Sequence, residues 1–209
     1  GDGDLDAWLT QNKPAYTGGQ MPTPFYDAND GYRYPSYLLV NDGTGRFSDG
    51  TKRAGLMSKR HRRTYSSSLV DLDTDDDLDL VVVNDFAGLD VYLNDGAGNF
   101  TDVTDHLGDD RHGFGMSHTL ADFDDDEALD LYMVGMDSTT ARRLERMQLG
   151  REEFPGHQVA RMKMAFGNRL FLGGRGPLKQ APYSELVART GWAWGCTALD
   201  FDNDGDRDL

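Results

Sequence analysis

Three ten-residue stretches of this chain carry aspartate in one frame: DLDTDDDLDL from Asp71, DFDDDEALDL from Asp122 and DFDNDGDRDL from Asp200. In each, Asp stands at positions 1, 3, 5 and 9, and an apolar residue follows at position 10. A fourth stretch, DGDLDA from Asp2, fits positions 5 to 10 of the same frame, with Asp2 at 5, Gly3 at 6 and Asp6 at 9. Together these stretches hold 20 of the 36 acidic residues. Carboxylates held about 6 Å apart repel by roughly 0.7 kcal/mol per pair even in water. Six pairs in one loop cost on the order of 4 kcal/mol, unless a hard cation with oxygen ligands sits among them. Calcium accepts six to eight oxygens at irregular angles, and aspartates at 1, 3 and 5 with a backbone carbonyl at 7 suit it better than they suit magnesium. A solvated acidic face is the alternative for one such stretch. Three complete copies in one frame favour calcium.

The elements that must hold these loops are strands. After position 9 the chain runs into LVVV (Leu80 to Val83) and LYMV (Leu131 to Val134), which are β-branched and aromatic. A helix–loop–helix calcium site is thereby disfavoured, as it needs a helix and a terminal Glu. Position 1 recurs at Asp71, Asp122 and Asp200, a spacing that suits a multi-strand unit. Ahead of the loop, GFGMSHTLADF from Gly113 aligns with GWAWGCTALDF from Gly191, and RTYSSSLVDL from Arg63 fits less well. Beyond it lie YLLVNDGTGRF (Tyr37 to Phe47), DVYLNDGAGNF (Asp90 to Phe100) and, more weakly, NRLFLGGRGPL (Asn168 to Leu178). Asn-Asp-Gly between apolar runs signals a hairpin. Each unit therefore reads as strand, aspartate hairpin, buried strand, Gly-rich hairpin and outer strand. The expected fold is all-β: a β-propeller of four-stranded antiparallel blades with calcium-binding hairpin loops, about three blades and one short helical insertion. The repeats fall at about 1–70, 71–121 and 122–199, with a further one starting at 200–209.

These motifs resemble the FG-GAP/VCBS repeats of integrin α-chains and many bacterial secreted proteins. The likeness extends to proteins that pair such repeats with an ASPIC/UnbV domain, the cartilage-acidic-protein group. It covers nearly the whole chain and speaks to fold more than to function. It implies three to four Ca2+ sites. Their ligands would be Asp71, Asp73, Asp75 and Asp79; Asp122, Asp124, Asp126 and Asp130; Asp200, Asp202, Asp204 and Asp208; and Asp2, Asp4 and Asp6 in the partial stretch. Asp77, Ala128 and Asp206 would offer their carbonyls at position 7. Two loops depart from the pattern: position 6, Gly in the family, is Asp76 and Glu127. The resemblance also implies a secreted, periplasmic or cell-surface location. The chain reads as a window from a longer protein, whose other blades or a partner would cover the open ends.

Composition narrows the partners. A net charge of −15 argues against nucleic acid or an anionic membrane as partner for the whole domain, and no apolar run reaches the roughly 18–20 residues of a spanning helix. The single cysteine, Cys196, excludes an internal disulfide and reads as a small apolar strand residue. No GxSxG or GxGxxG motif is present, and His61, His106, His112, His118 and His157 show no ligand spacing, so no enzyme and no zinc or haem site is expected.

Two insertions interrupt the repeats. Residues 10–35 are rich in Pro, Gly and Tyr. Their Tyr16, Phe25, Tyr26, Tyr32 and Tyr34 either pack the loop down or line a sugar or peptide surface. Residues 136–167 begin with a helix over 139–149, capped by Ser or Thr and stopped at Gly150, with Leu144 and Met147 on one face and Arg142, Arg143 and Arg146 exposed. The basic run SKRHRR (Ser58 to Arg63) either pairs with neighbouring acid or grips an anion. Trp192 and Trp194 are expected to pack blade on blade. The first functional reading is a non-enzymatic binding module for protein or glycan. The alternatives are an accessory subunit of a larger assembly, or the propeller part of a polysaccharide-active enzyme.

Overall fold

A computed structural model describes residues 3–11, 35–150, 152, 155–174 and 176–209. Nearly all of the 10–35 insertion, with its five aromatics, and Asp2 lie outside the described residues. The chain is mostly β, in three antiparallel sheets. The first is β1 (Ala7–Leu9), β2 (Tyr37–Asn41) and β3 (Phe47–Asp49). The second is β4 (Arg63–Val70), β5 (Asp79–Asp85), β6 (Gly88–Asn94) and β7 (Phe100–Asp102). The third is β8 (Gly115–Ala121), β9 (Asp130–Gly135), β10 (Arg169–Leu172) and β11 (Lys179–Gln180). In each sheet neighbouring strands follow chain order. The described residues form no closed ring of sheets.

The valine run explains the stacking. All seven residues of β5 are buried. Val81 and Val83 face the third sheet, where they meet Leu131, Met133 and Phe171. Leu80 and Val82 face the first, with Leu38, Ala54, Leu56 and Tyr92. A strand covered on both faces reads as a continuous apolar run, and each buried side chain contributes about 1.5–3 kcal/mol. The far face of the third sheet carries Tyr132, Val134, Leu170 and Ala181, against which Ala193 and Cys196 pack.

The first strands of successive sheets meet through a recurring polar contact. His118, four residues before its aspartate loop, inserts between Ser66 (Nδ1 to Oγ 2.9 Å) and Ser68 (Nε2 to Oγ 2.8 Å) of the preceding sheet. With no charged group beside it, burial alone lowers its pKa. Cys196 holds the same place one unit on, and it hydrogen-bonds Ser117.

Residues 191–198 form no ladder among the described residues; only Leu199 and Asp208 bridge. Cys196 is thus half-buried but not in a strand. Trp192 and Trp194 do not pack sheet on sheet as expected. They are 66% and 63% exposed, and Trp194 meets Tyr65 edge-on at 6.3 Å. In the other copies the strand after the loop supplies the ladder.

The second insertion holds two helices rather than one: α1 (Thr139–Arg146) and α2 (Pro155–Met164). Ser138 caps α1 by accepting from Ala141 N at 3.1 Å. The turn that ends α1 comes at Gln148, before Gly150. Gln148 adopts φ 54°, Leu149 N donates to Leu144 O and Gln148 N to Glu145 O, which is a Schellman closure. Helix α2 starts on a proline, a first-turn signal that sequence reading passed over. It packs Ala160 and Met164 onto Phe86 beside Phe114. No helix among the described residues is long and apolar enough to cross a membrane.

The basic run pairs mainly with acid and aromatic rings. Lys59 meets Asp102 (2.7 Å) and Asp90 (3.3 Å), Arg62 pairs with Asp90, and Arg60 lies 4.4 Å from the Tyr37 ring centroid.

One buried acid makes a pH prediction. Asp85 is 9% exposed opposite Arg63, and burial pushes its pKa up to about 6 despite that arginine. Between the ordinary value of 3.8 and about 6, the folded chain binds the proton more tightly than the unfolded one. Stability from this group is therefore present at low pH and lost as pH rises through 6. Asp85→Asn should gain about 2–3 kcal/mol relative to the native chain between pH 4 and pH 7, read from urea unfolding at both. A difference independent of pH would contradict the assignment.

Candidate metal centres

Each aspartate stretch is the hairpin loop between a first and a second strand: 71–78 joins β4 to β5 and 122–129 joins β8 to β9. The third, 200–207, is closed by the Leu199–Asp208 bridge. In all three the position-1 aspartate folds the loop around itself. Asp71 accepts from the amides of Thr74, Asp75 and Asp76; Asp122 from Asp126 and Glu127; Asp200 from Asp204 and Gly205. Position 5 uses one oxygen on the amide at position 7: Asp75 on Asp77 (3.0 Å), Asp126 on Ala128 (2.9 Å) and Asp204 on Asp206 (3.0 Å).

Position 9 ties the loop to the rest of its sheet. One oxygen of Asp79 accepts from Leu72 N and the other from Asn94 N, at the start of the Gly-rich hairpin. Asp130 does the same with Phe123 N and Gly173 N. In the partial stretch Asp6 accepts from Asn41 N at 2.8 Å, and in the last Asp208 accepts from Phe201 N. Asp79 and Asp130 are fully buried, whereas Asp208 is exposed. The Gly-rich hairpins complete the floor. Asn41 and Asn94 curl them by accepting from Gly45 N and Gly98 N. Gly43 and Gly96, both at positive φ, lie against the carboxylates of Asp4 and Asp77, where a Cβ would collide.

Carboxylate oxygens of Asp71, Asp73 and Asp79 come within 4.8 Å of one another, as do those of Asp122, Asp124 and Asp130, and of Asp200, Asp202 and Asp208. Oxygens across a calcium ion stand about 4.6–5.2 Å apart, so these sets have the right span. Asp73 Oδ1 is buried with no hydrogen-bond partner. A buried acceptor of this kind costs about 1–3 kcal/mol unless something satisfies it. Burial first, then the carboxylates of Asp79, Asp75 and Asp71, raise the pKa of Asp73, and burial raises Asp79 and Asp130 likewise. In the open loop the neighbouring Asp204, followed by Asp125, raises Asp206. Each loop thus concentrates negative charge that its own protein groups do not neutralise.

The turn requirement at position 6 is as expected and extends further. Asp76 and Glu127 both stand at φ 70°, and Gly205 at 105°. Position 4 is also left-handed: Thr74 at φ 64°, Asp125 at 59° and Asn203 at 63°. A β-branched threonine is poorly suited to that region, and Asn tolerates it well. The alternation of Asp and non-Asp residues hid this, since nothing at position 4 is glycine. Glu127→Gly and Thr74→Asn should each stabilise the chain by about 1 kcal/mol, measured by chemical unfolding with excess calcium. A loss of stability in both would overturn the turn geometry.

No curated protein matches this chain. The stretch that contains two of these loops and the strands between them, residues 71–133, matches the family model of the FG-GAP-like repeat, so the chain carries an FG-GAP-like repeat there.

Proposed function

We propose that each aspartate loop binds one calcium ion, and that the sheets are blades of a β-propeller that serves as a binding module for protein or glycan partners outside the cytoplasm. Positions 1, 3, 5 and 9 would supply carboxylate oxygens and position 7 a carbonyl, in the loops from Asp71, Asp122 and Asp200. Asp4 and Asp6 belong to a fourth. The observation that carries the reading is the recurrence of one hydrogen-bond pattern in three loops, each gathering three carboxylates, with Asp73 Oδ1 buried and unpartnered in the first. Oxygen-only donors in a flexible loop select calcium over zinc or copper. FG-GAP-like repeats are interaction modules, and the extracellular calcium level would fill even weak loops. Equilibrium dialysis against calcium tests the reading. Three to four ions per chain are expected, displaced poorly by magnesium; a chain that retains none overturns it.

A further inference from the structure

We propose that the seam between the second and third sheets holds a binding pocket for a small neutral apolar molecule, and that the first aspartate loop is one of its walls. A pocket of about 250 Å³ opens there. Its inner walls are the buried side chains of Leu72, Val91, Leu107 and Leu178. They come from four places: the loop at Asp71, strand β6, the 3-10 segment Thr104–Arg111 that follows β7, and the residue ahead of β11. His106, Gly176 and Pro177 also line the pocket and are exposed, so its mouth is at the surface.

Size and lining select the occupant. An apolar cavity of about 150 Å³ suffices for benzene, so this one admits a single ring with a short substituent. Backbone groups along its walls are already spent. Val91 N donates to Thr104 Oγ1 at 3.1 Å, Val103 N to Val91 O at 3.0 Å and Leu72 N to Asp79 Oδ2 at 3.0 Å. An ion of either sign would give up its hydration for few polar contacts. An apolar molecule would instead restore the dispersion that the facing methyl groups lack across the gap. Asp73, the one carboxylate on the lining, joins the pocket to the loop. Its oxygens gather with those of Asp71 and Asp79, so a calcium ion held there would fix the backbone that carries Leu72 into the wall. The two occupants are therefore coupled, and by reciprocity each tightens the other. This coupling rests on the calcium reading; the pocket itself does not.

The test uses the intact chain in calcium-containing buffer and methyl NMR. Benzyl alcohol is the probe, and benzoate and benzylammonium are its charged counterparts of similar size. Benzyl alcohol should shift the methyl signals of Leu72, Val91, Leu107 and Leu178 together, and it should bind at least about tenfold tighter than either ion. Leu93 also lines the pocket and is only half-buried, so it can be changed with little strain on the core. Leu93→Trp fills the pocket and Leu93→Asp charges it. Each should weaken benzyl alcohol at least about tenfold and leave calcium-dependent melting as it is in the native chain. No shift at those methyls, tighter binding of either ion, or native affinity in both Leu93 variants overturns the proposal. Saturating benzyl alcohol should also raise calcium affinity about fivefold or more, read by calcium titration. An unchanged calcium affinity overturns the shared wall. A chain that takes up no calcium yet binds benzyl alcohol would sink the calcium reading and leave the pocket standing.

Discussion

Chelating calcium should remove most of this protein's stability. At a hundredfold excess over its dissociation constant, a ligand bound only to the native state adds about 2.7 kcal/mol. Three such sites give on the order of 8 kcal/mol, against a typical total of roughly 5–15 kcal/mol for a domain. The melting temperature should therefore fall by tens of degrees in chelator, followed by circular dichroism. Two substitutions separate the cation from the scaffold. Asp73 spends no oxygen at Oδ1 on protein donors, so Asp73→Asn should destabilise the chain in calcium and stabilise it in chelator by relieving repulsion. Asp79 holds Leu72 N and Asn94 N, so Asp79→Ala should destabilise under both conditions. An unchanged melting temperature in chelator, with Asp73→Asn neutral throughout, would leave the loops as solvated acid.

Gly88→Ala should cost on the order of 3 kcal/mol or more, whatever the calcium level. Gly88 stands at φ 81° at the head of β6, which already favours glycine. A Cβ there would overlap the Arg111 carbonyl oxygen and the Gly113 nitrogen, both backbone atoms of the segment leading into the third sheet. Neither can swing aside as a side chain could. The damage should thus appear as separation of the second and third sheets, with hydrogen exchange accelerated across Val81, Val83 and Met133, which meet at that seam. Gly98→Ala is the control, since it shares the positive φ but has nothing within 4 Å of its Cβ position. Equal losses for the two would assign the effect to backbone conformation alone.

The loops and strands of the second sheet were legible because two periods overlap in one stretch. Alternating aspartates mark a turn that gathers charge, and the valines after Asp79 can only be a strand buried on both sides. The alignment of GFGMSHTLADF with GWAWGCTALDF located the first strand of the third sheet, but it over-read the fourth copy. A strand needs a ladder partner, and residues 191–198 have none among the described residues. The bolt from position 9 to the Gly-rich hairpin was invisible, since Asp79 and Asn94 are fifteen residues apart and neither spacing nor residue type announces a backbone bond. Helix α2 was missed for a related reason: its PGHQVARMKM has weak apolar periodicity, and packing on Phe86 supplies what propensity does not.

The contact of His118 with Ser66 and Ser68 has a direction. His118 projects backward from β8, and two small hydroxyl residues receive it on β4. The joint is therefore heterologous, with unlike surfaces on its two sides, and such joints propagate until some rotation brings the last unit round to the first. A unit built like the third sheet can be duplicated whole and spliced into the row, because it brings both halves of the joint, His118 toward the sheet before and Ser117 toward the segment after. A copy inserted in reverse would set projection against projection. At the same place one unit on, Cys196 meets the hydroxyl of Ser117, so the projecting side chain changes from an imidazole to a thiol while the receiving residue stays a serine. Neighbouring joints then differ in shape.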